Sequence, residues 1–77
     1  MPRDPDDLPL LALREVGANI RRFRSAAGLT LEQLGAATGR ERRTISRCEY
    51  SAAVATLDGL TALARALGVE AWRLLYG

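Results

Sequence analysis

Apolar residues along this chain recur every three or four positions, the period of helices that each bury one face, and no segment of alternating β-branched residues interrupts them. The first run is Leu10, Leu13, Val16, Ile20, Phe23 and Ala27. Asp7 is placed to cap that helix, Pro9 is tolerated in its opening turn, and Gly28 ends it. Thr30 and Gln33 make a T-x-x-Q capping box that opens a second helix, with Leu31 or Leu34, Ala37 and Thr38 inward and Gly39 as its stop. The third helix runs from about Glu41 to Glu49, with Ile45 and Cys48 on its inner side. After a loop over 51–55, Thr56 caps a fourth helix whose inner face is Leu57, Leu60, Leu63, Ala64 and Leu67, closed by Gly68. A short fifth helix from Glu70 to Tyr76 returns Ala71, Leu74 and Leu75 to the core. The pattern predicts an all-α, five-helix domain over residues 10–77 behind an acidic N-terminal arm over 1–9, to whose first few residues any disorder is confined.

Within this order, residues 28–49 read as two short helices joined by a tight turn, the layout of a helix-turn-helix. The second helix carries Arg42, Arg43 and Arg47 away from Ile45 and Cys48. A major groove about 12 Å wide admits one helix, with side chains near its N-terminus reaching base edges. The charge distribution agrees. Residues 1–15 hold two arginines and four acids, residues 16–51 hold seven arginines and three glutamates, and the remainder cancels. A net charge of +2 thus conceals a basic excess on the segment that contains the helix pair. Every basic residue is arginine, whose planar fork suits phosphate and guanine, although a codon bias that favours Arg and Ala over Lys explains the total count as well.

Bulk properties narrow the alternatives. At 77 residues the chain is one domain, and a domain near this size buries only about 60% of the surface it exposes unfolded, so close helix packing or dimerisation is expected. The single cysteine, Cys48, forms no internal disulfide, and no apolar run approaches the roughly 20 residues of a membrane span. The N-terminus is acidic rather than signal-like, which points to the reducing cytoplasm, with the protein nucleoid-associated. Histidine is absent, Cys48 has no base beside it, and neither paired carboxylates nor a glycine-rich phosphate loop occurs at useful spacing. An enzyme is therefore not expected, nor is a metal or a cofactor; Asp4, Asp6 and Asp7 read as a solvated tail.

Gly28-Leu29-Thr30, Leu34, Gly39, Thr44-Ile45-Ser46, Glu49, Leu57, Leu60, Ala66-Leu67-Gly68-Val69 and Leu74-Leu75 together resemble the phage-repressor and Cro-type (XRE-like) helix-turn-helix family over residues 15–76. The resemblance implies a repressor-like domain that binds operator DNA as a homodimer and regulates transcription. It places Arg42, Arg43 and Arg47 where base-reading side chains stand, and arginine's preferred partner in the major groove is guanine. Thr44 and Ser46 fall at phosphate or near-base positions. Thr30, Glu41, Arg21 and Arg22 are further candidates for backbone or near-base contact. Arg24 and Glu49 match a structural ion pair that joins the first helix to the end of the reading helix.

Some positions depart from the family pattern. Leu31 stands where a phosphate-contacting glutamine is common, Glu41 where a small hydroxyl caps the third helix, and Arg40 where a smaller or apolar residue is usual. Cys48 replaces a larger apolar residue, which predicts a less full core under the reading helix. Ser51 and Ala55 replace Gly and Pro, which leaves the loop before the fourth helix open. Trp72 occupies an outward, usually polar position and with Val69 and Tyr76 predicts an apolar patch at a homodimer or partner contact. Leu8, Leu10 and Leu11 would cap the core, extend the first helix or add to the dimer. The leading expectation is a DNA-binding repressor acting on a palindromic operator in double-stranded DNA. The alternative is a protein-interaction module, an antitoxin or adaptor, whose protein partner is met by the N-terminal leucines and Trp72.

Overall fold

The computed structural model describes residues 8–52 and 55–76, with the backbone alone for residues 8–11. Five α-helices follow one another in the described residues: α1 (Leu8–Ala26), α2 (Leu31–Thr38), α3 (Arg42–Tyr50), α4 (Leu57–Leu67) and α5 (Ala71–Tyr76). No strand occurs among them. α1 starts at Leu8, so the last two residues assigned to the acidic arm are helical. The expected Asp7 cap and the side-chain roles suggested for Leu8, Leu10 and Leu11 lie outside the described residues.

The helix boundaries have local causes. The Thr30 hydroxyl accepts the Gln33 N–H at 3.0 Å while the Gln33 side chain accepts the Thr30 N–H at 2.8 Å, a reciprocal box that satisfies two otherwise orphaned donors. Thr56 caps α4 by accepting the Gly59 N–H at 3.0 Å. Gly39 takes φ 68°, the left-handed conformation that ends α2 without a Cβ clash, and its turn is closed by the Arg40 N–H donating to the Gly35 carbonyl at 2.8 Å. Ser51 ends α3 without a glycine, its backbone extended and its N–H donating to the Arg47 carbonyl.

The core is contiguous: Ile20, Leu34, Ile45, Leu63 and Leu74 are at most 1% exposed, one from each helix. Burying a side chain of this size is worth about 1.5–3 kcal/mol. α1 lies across the others, packing against α3, α4 and α5, while α2 packs on α3 and α4. The Asn19 side-chain amide donates to the Leu74 carbonyl at 2.9 Å and so satisfies an acceptor in the last turn of α5.

Five expected inward residues are exposed: Ala27, Ala37, Leu57, Ala71 and Leu75. Ala27 lies beyond the end of α1. In α2 the inner position falls to Gly35, one turn from Leu31 and beside Leu34, which leaves Ala37 outside. Leu57, 80% exposed, is the first residue of α4, and helical side chains lean toward the N-terminus, so it projects past the helix start. α5 has only six residues and enters the core through Leu74, which turns Ala71 and Leu75 aside.

Gly17 lets α1 and α3 approach closely beside Cys48. A Cβ built on Gly17 would lie 2.6 Å from the carbonyl oxygens of both Cys48 and Glu49, so α1 and α3 meet backbone to side-chain-free backbone. Beyond α3, Ala52 is buried and its carbonyl accepts the Ala55 N–H at 2.9 Å. No helix among the described residues is long and apolar enough to cross a membrane, and no group of three or more metal-ligating side chains gathers among them.

Candidate nucleic-acid interface

α3 has two unlike sides. Ile45 and Cys48 are buried and Thr44 and Glu49 half-buried, whereas Arg42, Arg43, Ser46, Arg47 and Tyr50 are all exposed. The exposed set spans the length of the helix along one side, with the three arginines clear of the core. Thr44 and Ser46, candidates of one kind by sequence, are therefore separated: Ser46 stands among the arginines and Thr44 on the flank.

The inward side is anchored as well as packed. Arg24 of α1 donates from Nε to Glu49 Oε2 at 2.5 Å and from Nη2 to Oε1 at 3.1 Å, while its Nη1 donates to the Leu29 carbonyl at 2.9 Å. One guanidinium thus ties α1, the start of the helix-turn-helix and the last turn of α3. The two side chains are 15% and 8% exposed, and the hydrogen bond to Glu49 pushes the already high pKa of Arg24 further up against the opposing effect of burial.

The turn between α2 and α3 is pinned by Arg40, which sequence reading left without a role. Its Nη1 donates to the Thr38 carbonyl at 2.7 Å, and its guanidinium reaches Gly59 of α4, where an added Cβ would sit 3.4 Å from Nη2. Gly35 backs onto the same turn: a Cβ there would meet the Arg40 carbonyl oxygen at 2.6 Å. Glu41 occupies the N-cap of α3 with no side-chain capping bond, and it is exposed beside Arg42 and Arg43. Thr30 is exposed, but its hydroxyl oxygen already accepts the capping bond.

The two α1 arginines proposed for phosphate contact face different neighbours. Arg21 shares a groove of about 460 Å³ with Arg14, Ala18, Leu31, Ser46 and Tyr50, floored by Arg24 and Glu49. Arg22 instead donates to Asn19 Oδ1 at 3.0 Å and borders a depression shared with Leu75 and Tyr76 of α5. Arg14 and Tyr50 escaped the sequence reading; the Arg14 guanidinium carbon sits 5.8 Å from the Tyr50 ring centre. Seven residues separate Arg14 from Arg21 on one helix, two turns on the same face, which is the sequence signal that marks them as neighbours.

On α5, Trp72 (55% exposed), Leu75 (50%) and Tyr76 (82%) share one side at spacings of three and four. The Arg73 guanidinium lies 5.8 Å from the Trp72 ring centre. Val69, grouped with them from sequence, is half-buried and packs on the core.

Residues 15–73 match the family model described as a helix-turn-helix domain. The chain belongs to this family. A comparison with curated proteins gives no match. Among solved structures, the helix-turn-helix chain is similar to the restriction-modification controller protein C.AhdI from Aeromonas hydrophila, at 31% identity over 80% of this chain and 94% of that one, with a TM-score of 0.76. It is also similar to the clp gene regulator ClgR from C. glutamicum, at 26% identity over 84% of each chain and TM-score 0.78. A hypothetical transcription factor, NHTF from Neisseria, is 35% identical over 97% of this chain and 83% of that one, with TM-score 0.75. The protein is a helix-turn-helix DNA-binding transcription regulator of the XRE-like type.

Proposed function

We propose that the protein is a cytoplasmic repressor that binds a palindromic operator as a homodimer, with α3 in the major groove and Arg42, Arg43 and Arg47 against base edges. The observation that carries this is the division of α3: one side fixed by Ile45, Cys48 and the Arg24–Glu49 pair, the other presenting three unburied arginines. A helix held rigidly by one side delivers the other to the groove without further ordering cost. Ser46 and Tyr50 of α3 line one groove with Arg14 and Arg21 of α1, and in this reading they meet phosphates, which fix register but carry no sequence information. The likeness to controller proteins and to a gene regulator supports a regulatory role.

Selection of bound sequences from a random DNA pool at two salt concentrations tests the reading. A guanine-containing inverted repeat should emerge, with affinity falling as salt rises. Arg43→Ala or Arg47→Ala should then cost about 1–3 kcal/mol at one base position while leaving other positions unchanged. Binding that loses no base preference in either variant would leave these arginines as phosphate contacts only.

A second reading, a protein-interaction module of antitoxin or adaptor type, is favoured by the α5 side formed by Trp72, Leu75 and Tyr76. A stoichiometric protein partner recovered from host extract, with no retention on DNA, would support it over the first.

A further inference from the structure

Arg42 opens α3, and its Nε lies 3.4 Å from Oε2 of Glu32 in the first turn of α2. The side chains are 63% and 68% exposed, and an ion pair that open to water adds little to folding. The backbone that carries the two side chains is nonetheless well determined. The capping box fixes the first turn of α2, and the close approach of Gly35 to the Arg40 carbonyl, with the Arg40 N–H to Gly35 bond at 2.8 Å, fixes how α2 meets α3. Glu32 and Arg42 are thus carried on one rigid frame.

We infer that Glu32 is a positioning residue for base recognition: it holds the Arg42 guanidinium from its Nε side and leaves the Nη1 and Nη2 edge for a guanine. This rests on α3 being the helix that enters the major groove. Bidentate contact with guanine O6 and N7 needs both N–H groups in one plane and direction, and a free arginine must lose its rotamer freedom to supply that. An ion pair formed before binding removes part of the loss. The same carboxylate repels DNA phosphates, so it opposes binding to any sequence. Glu32 therefore has two effects of opposite sign, one dependent on sequence and one not.

The test compares wild type, Glu32→Ala, Arg42→Ala and the double variant on the selected operator, on operators with each half-site base pair replaced in turn, and on random-sequence duplex. Glu32→Ala should bind random duplex at least as tightly as wild type, yet lose about five-fold or more of its preference at one guanine. Arg42→Ala should lose preference at that same position, and the double variant should lose no more there than Arg42→Ala alone. Thermal unfolding of Glu32→Ala should match wild type, because the pair is exposed. If Glu32→Ala tightens binding to every duplex alike and keeps all base preferences, Glu32 acts through charge alone and the inference falls. If Arg42→Ala removes a preference that Glu32→Ala preserves, only the role of Glu32 falls. If Arg42→Ala removes none, base reading by Arg42 falls with it.

Discussion

Arg24, part-buried, makes three hydrogen bonds that join α1 to the turn before α2 and to the last turn of α3. Removing one partner leaves the other charge part-buried and unpaired, so Arg24→Ala or Glu49→Ala should cost about 1.5–3 kcal/mol. That is a large share of the ~5–15 kcal/mol typical of a whole domain, and urea unfolding would read it directly. An exposed pair would cost under ~1 kcal/mol, and a loss that small would refute the junction. Cys48, on the same helix, gives a pH signature. Burial lifts its thiol pKa above the ordinary value; Arg40 opposes the rise and Glu49 adds to it. The unfolded thiol then ionises first, near pH ~8.5, so above that pH the unfolded chain holds fewer protons than the folded one. The contribution of the neutral thiol is complete below that pH and is lost as pH climbs toward the raised folded value. The melting temperature of wild type should therefore fall more steeply between pH 8 and 10 than that of Cys48→Ala, and parallel slopes would contradict it. The exposed position of Arg42, Arg43 and Arg47 was legible from sequence because helical spacing alone separates them from Ile45 and Cys48. Glu32, Arg14 and Tyr50 were not, since their partners lie on other helices.

The packing of α1 against α3 depends on Gly17, and that of α2 against the turn on Gly35. Alanine is the better helix former by about 1 kcal/mol, so propensity alone favours Gly17→Ala. The added methyl, however, meets two carbonyl oxygens at 2.6 Å, and backbone cannot rotate away as a side chain can. Overpacking of that kind costs ~1–3 kcal/mol, which should outweigh the gain and displace α3. The expected result is a lowered urea midpoint with weaker DNA binding; a stabilised Gly17→Ala would show that the helices stand further apart. Helix order, the Thr30 and Thr56 caps and the residues at the centre of each helix were legible because they follow from local rules. Helix ends were less so: Leu57 and Leu75 fit the period of a buried face but sit where a short helix runs out of neighbours. Gly17 carried its own signal. A glycine inside a strongly periodic helix opposes propensity and so points to a close approach.

At the scale of the molecule, the question is what covers α5. The domain is small enough that its own burial leaves little margin, and α5 contacts the rest through Leu74, α1 and α4 while Trp72, Leu75 and Tyr76 face outward. Self-association through this side would add apolar burial, and a homodimer on a palindromic operator needs its two α3 helices to meet successive major grooves about 34 Å apart. Trp72 is the single tryptophan, so its fluorescence reports the contact without labelling. On this view sedimentation equilibrium should show a monomer–dimer exchange, with Trp72 emission shifting to shorter wavelength as concentration rises. Trp72→Ala and Tyr76→Ala should shift the exchange toward monomer with little change in unfolding midpoint measured at low concentration. On DNA, those variants should keep the base preferences of a half-site and lose the dependence of affinity on half-site spacing, because the two reading helices are no longer tied together. A wild-type protein that stays monomeric at concentrations saturating the operator would remove the dimer and leave the α5 side to a different protein. Spacing dependence retained in Trp72→Ala would place the dimer contact elsewhere on the domain.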